Sequence, residues 1–79
     1  MHLPVVNMRR TGERICSLRL QRGLTVRQLQ RMLGFAAPQA IYKWQHGETL
    51  PTIDNLVALS AILDVPIEDI LVTDPDQML

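Results

Sequence analysis

Residues 38–47, PQAIYKWQHG, begin with a proline, end with a glycine and hold the chain's only tyrosine, only lysine and only tryptophan. Such punctuation predicts a helix of about three turns. Proline lacks an N–H that the first turn leaves unpaired in any case, and glycine accepts the left-handed backbone that closes a helix. Ile41 and Trp44 stand three apart and define the inward face, so Gln39, Tyr42, Lys43 and His46 point outward. A helix that meets only water carries mostly Glu and Lys on that side. Here it offers an amide, a phenol, an ammonium and an imidazole.

The flanking segments supply a frame for this helix. Upstream, Thr25 is a natural N-cap, Val26, Leu29 and Leu33 follow at helical spacing, and Gly34 stops the run before the short turn GFAAP. Two helices of roughly eight and ten residues joined by a tight turn match the helix-turn-helix unit. Before them, a helix from about Met8 to Arg22 carries Ile15 and Leu18 on its inner stripe and ends at Gly23, with Cys16 and Leu20 expected at the rim. After them, Thr52 caps a fourth helix with Leu56, Leu59, Ser60 and Leu63 at helical spacing. Asp64 falls where a left-handed glycine is usual, and some strain is expected there. Pro66 opens a short fifth helix with Ile67, Ile70 and Leu71 inward.

The expected fold is therefore all-α: a compact five-helix domain over residues 1–72, with a flexible N-terminus over about 1–6 and a frayed acidic tail over 73–79. No strand-like alternation is evident. A chain of 79 residues supports one domain whose core, at 4% aromatic residues, is built from aliphatic side chains and supplies about 3–5 kcal/mol. Cys16 is the single cysteine, which excludes an internal disulfide and a thiolate zinc cluster, and His46 has no metal-ligand spacing with His2 or Cys16. No phosphate-binding glycine loop or catalytic pair is present, so no enzyme, cofactor or small-molecule substrate is expected. No apolar run reaches membrane-spanning length and no secretory signal is recognisable, which points to a cytoplasmic protein without a membrane partner.

Zero net charge conceals a division. Residues 1–46 hold all eight basic side chains against one acid, a net +7, whereas residues 47–79 hold seven acids and no base. One reading is a basic pole that attracts phosphate; the other is two solvated faces that attract each other. The outward helix face favours the first. Gln39 can present its amide to adenine N7 and N6 together, Lys43 can donate to guanine or to phosphate, and Tyr42 can donate to phosphate or lie against a thymine methyl. Ala40 is small enough to allow close approach. Thr25, Arg27 and the free amides at the start of the second helix form a phosphate site, which Arg10, Arg14 or Arg31 can extend along the backbone. His46 is counted with the phosphate contacts, although its place also suits a plain helix end. Trp44 reads as core.

From about Asn7 to Val72 the chain resembles the phage-repressor-type (Cro-like, xenobiotic-response-element) helix-turn-helix family. The resemblance rests on RGLT, LG, IYKW followed three residues on by Gly47, and P..DNL..L, and it is nearest to short bacterial members. It implies five helices, the third in the major groove and the second bracing phosphate. By position it puts Gln39, Ala40, Tyr42 and Lys43 at the groove, with Thr25, Val26 and Arg27 at the bracing helix start. Val26 departs from a glutamine common in phage members, Ala37 from a capping Ser or Thr, and Gln45 from a common glutamate, while GFAAP is one residue longer than usual.

The resulting expectation is a regulator, in the main a repressor, that inserts helix 37–46 into the major groove of double-stranded DNA and acts as a homodimer on a two-fold site. Ile70, Val72, Met78 and Leu79 are the apolar patch expected to pair the copies. The alternative is an antitoxin or accessory protein-interaction module whose acidic half docks a basic protein.

Overall fold

The computed structural model describes residues 2–78. Its first helix begins where a side chain replaces a missing backbone partner: Asn7 Oδ1 accepts the Arg10 N–H at 2.9 Å, and α1 runs Met8–Gln21 from there. Thr25 and Thr52 cap α2 (Val26–Leu33) and α4 (Ile53–Leu63) in the same way. Between them lies α3 (Gln39–Gln45), and α5 (Ile67–Ile70) follows after Pro66. The five-helix domain is thus as expected. Asp64 takes the left-handed conformation at φ 54°, as its position after α4 suggests.

Each helix gives the core at least one fully or almost fully buried apolar side chain: Ile15 and Leu18, Leu29, Ile41 and Trp44, the Leu56, Leu59 and Leu63 stripe, and Ile70. Burying a leucine or isoleucine contributes about 1.5–3 kcal/mol, so these nine positions are the main force that gathers the helices. Cys16 is half-buried and Leu20 is 62% exposed, both outside the packed stripe of α1. Among the described residues no helix is long and apolar enough to cross a membrane.

The chain ends depart from expectation. Residues 1–6 and 73–79 carry no usable alternation, yet His2–Val6 (β1) and Thr73–Met78 (β2) form an antiparallel two-stranded sheet, with Val5 opposite Asp74 and Val6 opposite Thr73. The register breaks between Leu3 and Val5. An isolated two-stranded ribbon is marginal in water, so the anchors matter. The Asn7 N–H donates to the Val72 carbonyl at 2.8 Å, Asn7 Nδ2 donates to the Asp74 carboxylate at 3.1 Å, and the buried Thr11 hydroxyl accepts from the Val72 N–H at 3.0 Å. These polar groups on the first turns of α1 tie the two ends together across the whole length of the chain.

The expected dimer patch is corrected by the same geometry. Ile70 is completely buried and cannot meet a second copy, because the short α5 turns it into the core; Val72 is half-buried and its backbone is bonded to α1. The Met78 side chain and Leu79 lie outside the described residues.

Candidate nucleic-acid interface

The start of α2 is built by reciprocal bonds. The Thr25 hydroxyl accepts from the Gln28 N–H at 3.0 Å, while Gln28 Oε1 accepts from the Thr25 N–H at 2.8 Å. This capping box was legible as a Thr followed three residues later by a Gln, but Gln28 was not read from the sequence. It changes the expected role of Thr25, whose hydroxyl oxygen is occupied as a helix cap and retains only its proton for an outside acceptor. The Val26 and Arg27 amides have no acceptor among the described residues and stay available at the positive end of the helix.

Five residues, 34–38, separate α2 from α3. Phe35 fixes their path: its N–H donates to the Gln30 carbonyl at 3.0 Å, and its ring meets Trp44 edge-on at 5.8 Å. Pro38 then stands as the N-cap, with no side-chain cap bond, and His46 as the C-cap. The expected helix 37–46 is therefore shortened to 39–45. Neither Ala37 nor Pro38 has a side-chain oxygen to hold an earlier first turn.

The seat of α3 is unusually close. A Cβ added at Gly12 would lie 1.9 Å from the Trp44 carbonyl oxygen, and one at Gly47 would lie 2.7 Å from the Arg9 Cα, so α1 and the end of α3 meet backbone to backbone. Arg19 locks this contact. Only 9% exposed, it donates through Nε to Gln45 Oε1 at 3.0 Å and through Nη1 to the Leu24 carbonyl at 2.7 Å, joining α1, the loop before α2, and α3. Gln45 gives this buried cation a neutral acceptor. Neither Gly12 nor Arg19 was singled out from the sequence, since a glycine inside a helix and an arginine among arginines show their burial only once the partner helix is in place.

With Ile41 and Trp44 buried and Gln45 held, Gln39, Tyr42, Lys43 and His46 are all exposed. At 3.6 residues per turn they occupy roughly 100° of the helix circumference. The Tyr42 and His46 rings stack one turn apart, with centroids 6.3 Å apart. Ala40 is not on this face: it is half-buried against the core at its shoulder, as is Val26 at the start of α2.

The basic side chains separate into two groups. Arg9 pairs with Glu13 at 2.8 Å, Arg22 with Asp64 at 3.4 Å, and Arg14 donates to the Asp69 carbonyl at 2.7 Å. Arg10 and Arg14 line a cleft with Glu68 and Asp69. Arg14, expected at phosphate, is thus engaged at the end of α5. Arg9 and Glu13 pair within the basic half, one turn apart on α1, whereas attraction between the two charged halves accounts for Arg10, Arg14 and Arg22. Arg27, Arg31 and Lys43 take part in neither ion pair of the described residues and are exposed on α2 and α3; Arg27 and Arg31 stand one turn apart on a shared flank.

This arrangement has known counterparts. The sequence pattern of the helix-turn-helix family matches residues 17–70. The restriction-modification controller protein C.AhdI from Aeromonas hydrophila superposes with a TM-score of 0.72 at 21% identity, over 80% of this chain and 94% of its own. SinR, a master regulator for biofilm formation whose structure was solved in complex with DNA, gives 0.68 at 28% identity over 76% and 95%. The fold also makes up 37% of HppE, with a TM-score of 0.74 at 20% identity over 86% of this chain. No curated protein matches the chain in sequence.

Proposed function

This chain belongs to the helix-turn-helix family, and from that membership we propose that it is a sequence-specific regulator of transcription that binds double-stranded DNA through α3. The observation that carries the reading is the exposed face of Gln39, Tyr42, Lys43 and His46 on a helix seated against α1 without slack, beside three arginine and lysine side chains outside the internal ion pairs. A rigid helix presenting an amide and an ammonium from successive turns is suited to base edges in the major groove. Gln39 and Lys43 read bases, and Tyr42 closes on phosphate or a thymine methyl. The Val26 and Arg27 amides, the Thr25 hydroxyl proton, Arg27 and Arg31 hold the phosphate backbone, with His46 at the far end of α3.

DNA occupied in this way is closed to a competing protein, so the chain acts as a repressor by occlusion. It is a binding protein, not an enzyme. One monomer reads too few base pairs for selectivity in a genome, and two copies on half-sites about one helical turn apart supply the remainder. The test is fluorescence anisotropy with duplex DNA from upstream of the protein's own gene and with a scrambled duplex, each from low to physiological salt. Tighter binding to the first by about a thousandfold or more supports the reading. Absence of binding to either at low salt refutes it.

A further inference from the structure

The two charged halves of the chain come together at a cleft of about 510 Å³ between α1 and the junction of α5 with β2, and their charges face each other there without pairing. Arg10 and Arg14, one turn apart on α1, supply the basic groups; Glu68 and Asp69 on α5 supply the acidic ones. Neither ion pair of the described residues includes any of the four. Arg14 uses only its Nε, on the Asp69 carbonyl, which leaves both terminal nitrogens as donors. The Arg10 guanidinium and the Glu68 and Asp69 carboxylates have no hydrogen-bond partner among the described residues. Glu13, the remaining acid at the cleft, is held by Arg9. Leu71 and Val72, both half-buried, add an apolar lining.

We propose that this cleft binds a small zwitterion of the amino-acid type, with its carboxylate on Arg10 and Arg14 and its ammonium on Glu68 and Asp69. The charge pattern selects among occupants. A simple anion, DNA phosphate included, that is drawn to the arginines also meets two carboxylates, and a simple cation meets the converse, so each loses on one wall what it gains on the other. A molecule with both charges gains on both. The guanidinium groups offer planar forks to a carboxylate, and the paired acids can share the three N–H donors of an ammonium. Leu71 and Val72 favour an apolar side chain on the ligand, as in leucine. The volume lies within the range of about 300–1,000 Å³ usual for small-molecule sites. None of the four charged residues is among those proposed to touch DNA, so this site and the DNA-binding reading stand or fall separately.

Titration of the full chain with L-leucine and with leucyl-leucine, whose charges stand farther apart, tests the site by proton–nitrogen correlation spectra at low salt. At least one of the two is expected to give saturable shifts confined to residues 10–17 and 68–73, with a Kd on the order of 1 mM or tighter. The N-acetyl form of that ligand, which lacks the ammonium, and its amide, which lacks the carboxylate, are each expected to bind about tenfold more weakly or worse. A Glu68→Gln, Asp69→Asn double variant is expected to lose about tenfold in affinity for the zwitterion and to cease to distinguish it from the N-acetyl form. Should that variant fail to fold by circular dichroism, an Arg10→Gln, Arg14→Gln variant gives the converse comparison with the amide. The absence of saturable shifts from both zwitterions at millimolar concentrations, equal binding of the singly charged analogues, or a folded variant that keeps the wild-type preference overturns the proposal.

Discussion

Helices α3 and α4 follow one another in the chain, and both bury large apolar side chains in the same core, yet their outward faces have opposite chemistry. On α3 that face is Gln39, Tyr42, Lys43 and His46; on α4 it is Ile53, Val57 and Ala61. Their supports differ as well. The contact of α3 with α1 is made through the backbone at Gly12 and the buried fork of Arg19, whereas α4 packs through a stripe of leucines. Inward faces of this kind specify a fold that many proteins share, and outward faces specify what each one meets. A helix that must place hydrogen-bonding groups within a few tenths of an ångström of a base needs a stiff seat; a helix that meets an apolar surface does not.

The comparison breaks most severely at Gly12. Gly12→Ala drives a Cβ into the Trp44 carbonyl and is expected to cost about 3 kcal/mol or more, close to the whole stability of a domain this size, so thermal melting followed by circular dichroism should show little folded protein at room temperature. Arg19→Met keeps the volume but leaves the Leu24 carbonyl and Gln45 without their donor, at a cost of about 2–3 kcal/mol read from urea melts, and DNA affinity should fall further than self-association does. Gln39→Ala leaves the melt unchanged and costs about 1–3 kcal/mol of binding to the preferred duplex only, so that competition assays show relaxed preference at one position. Smallest is Arg27→Ala, which weakens every duplex alike and lowers the slope of log affinity against log salt by about one, while Arg14→Ala, whose side chain is engaged at the end of α5, leaves that slope unaltered.

Much of this was legible in the sequence because the signals were local. Thr25, Gly34, Thr52 and Pro66 mark helix ends by their own chemistry, and the Ile41–Trp44 spacing assigned the outward face of α3 without knowledge of its neighbours. What escaped was non-local. The ribbon joins residues at opposite ends of the chain, and β1 contains a proline and too few residues for alternation to register. Charge division suggested a single basic pole, but only the fold shows that Arg14 and Arg22 turn toward the acidic half and Arg19 inward. Ala40 was placed at the groove by position in the motif, but it stands one turn before Trp44 at the edge of the buried stripe, and it packs half-buried against the core.

The central claim is that the exposed face of α3 reads base sequence. The most direct measurement is selection from a random pool of duplex DNA, carried out in parallel with the wild type and with a Gln39→Ala, Lys43→Ala double variant at moderate salt, followed by sequencing. A shared motif enriched by the wild type, with positions that lose preference in the variant, is the result predicted. Retained DNA with no enriched motif, or the same motif from both proteins, would contradict the claim and reduce α3 to a structural helix beside a phosphate-binding surface.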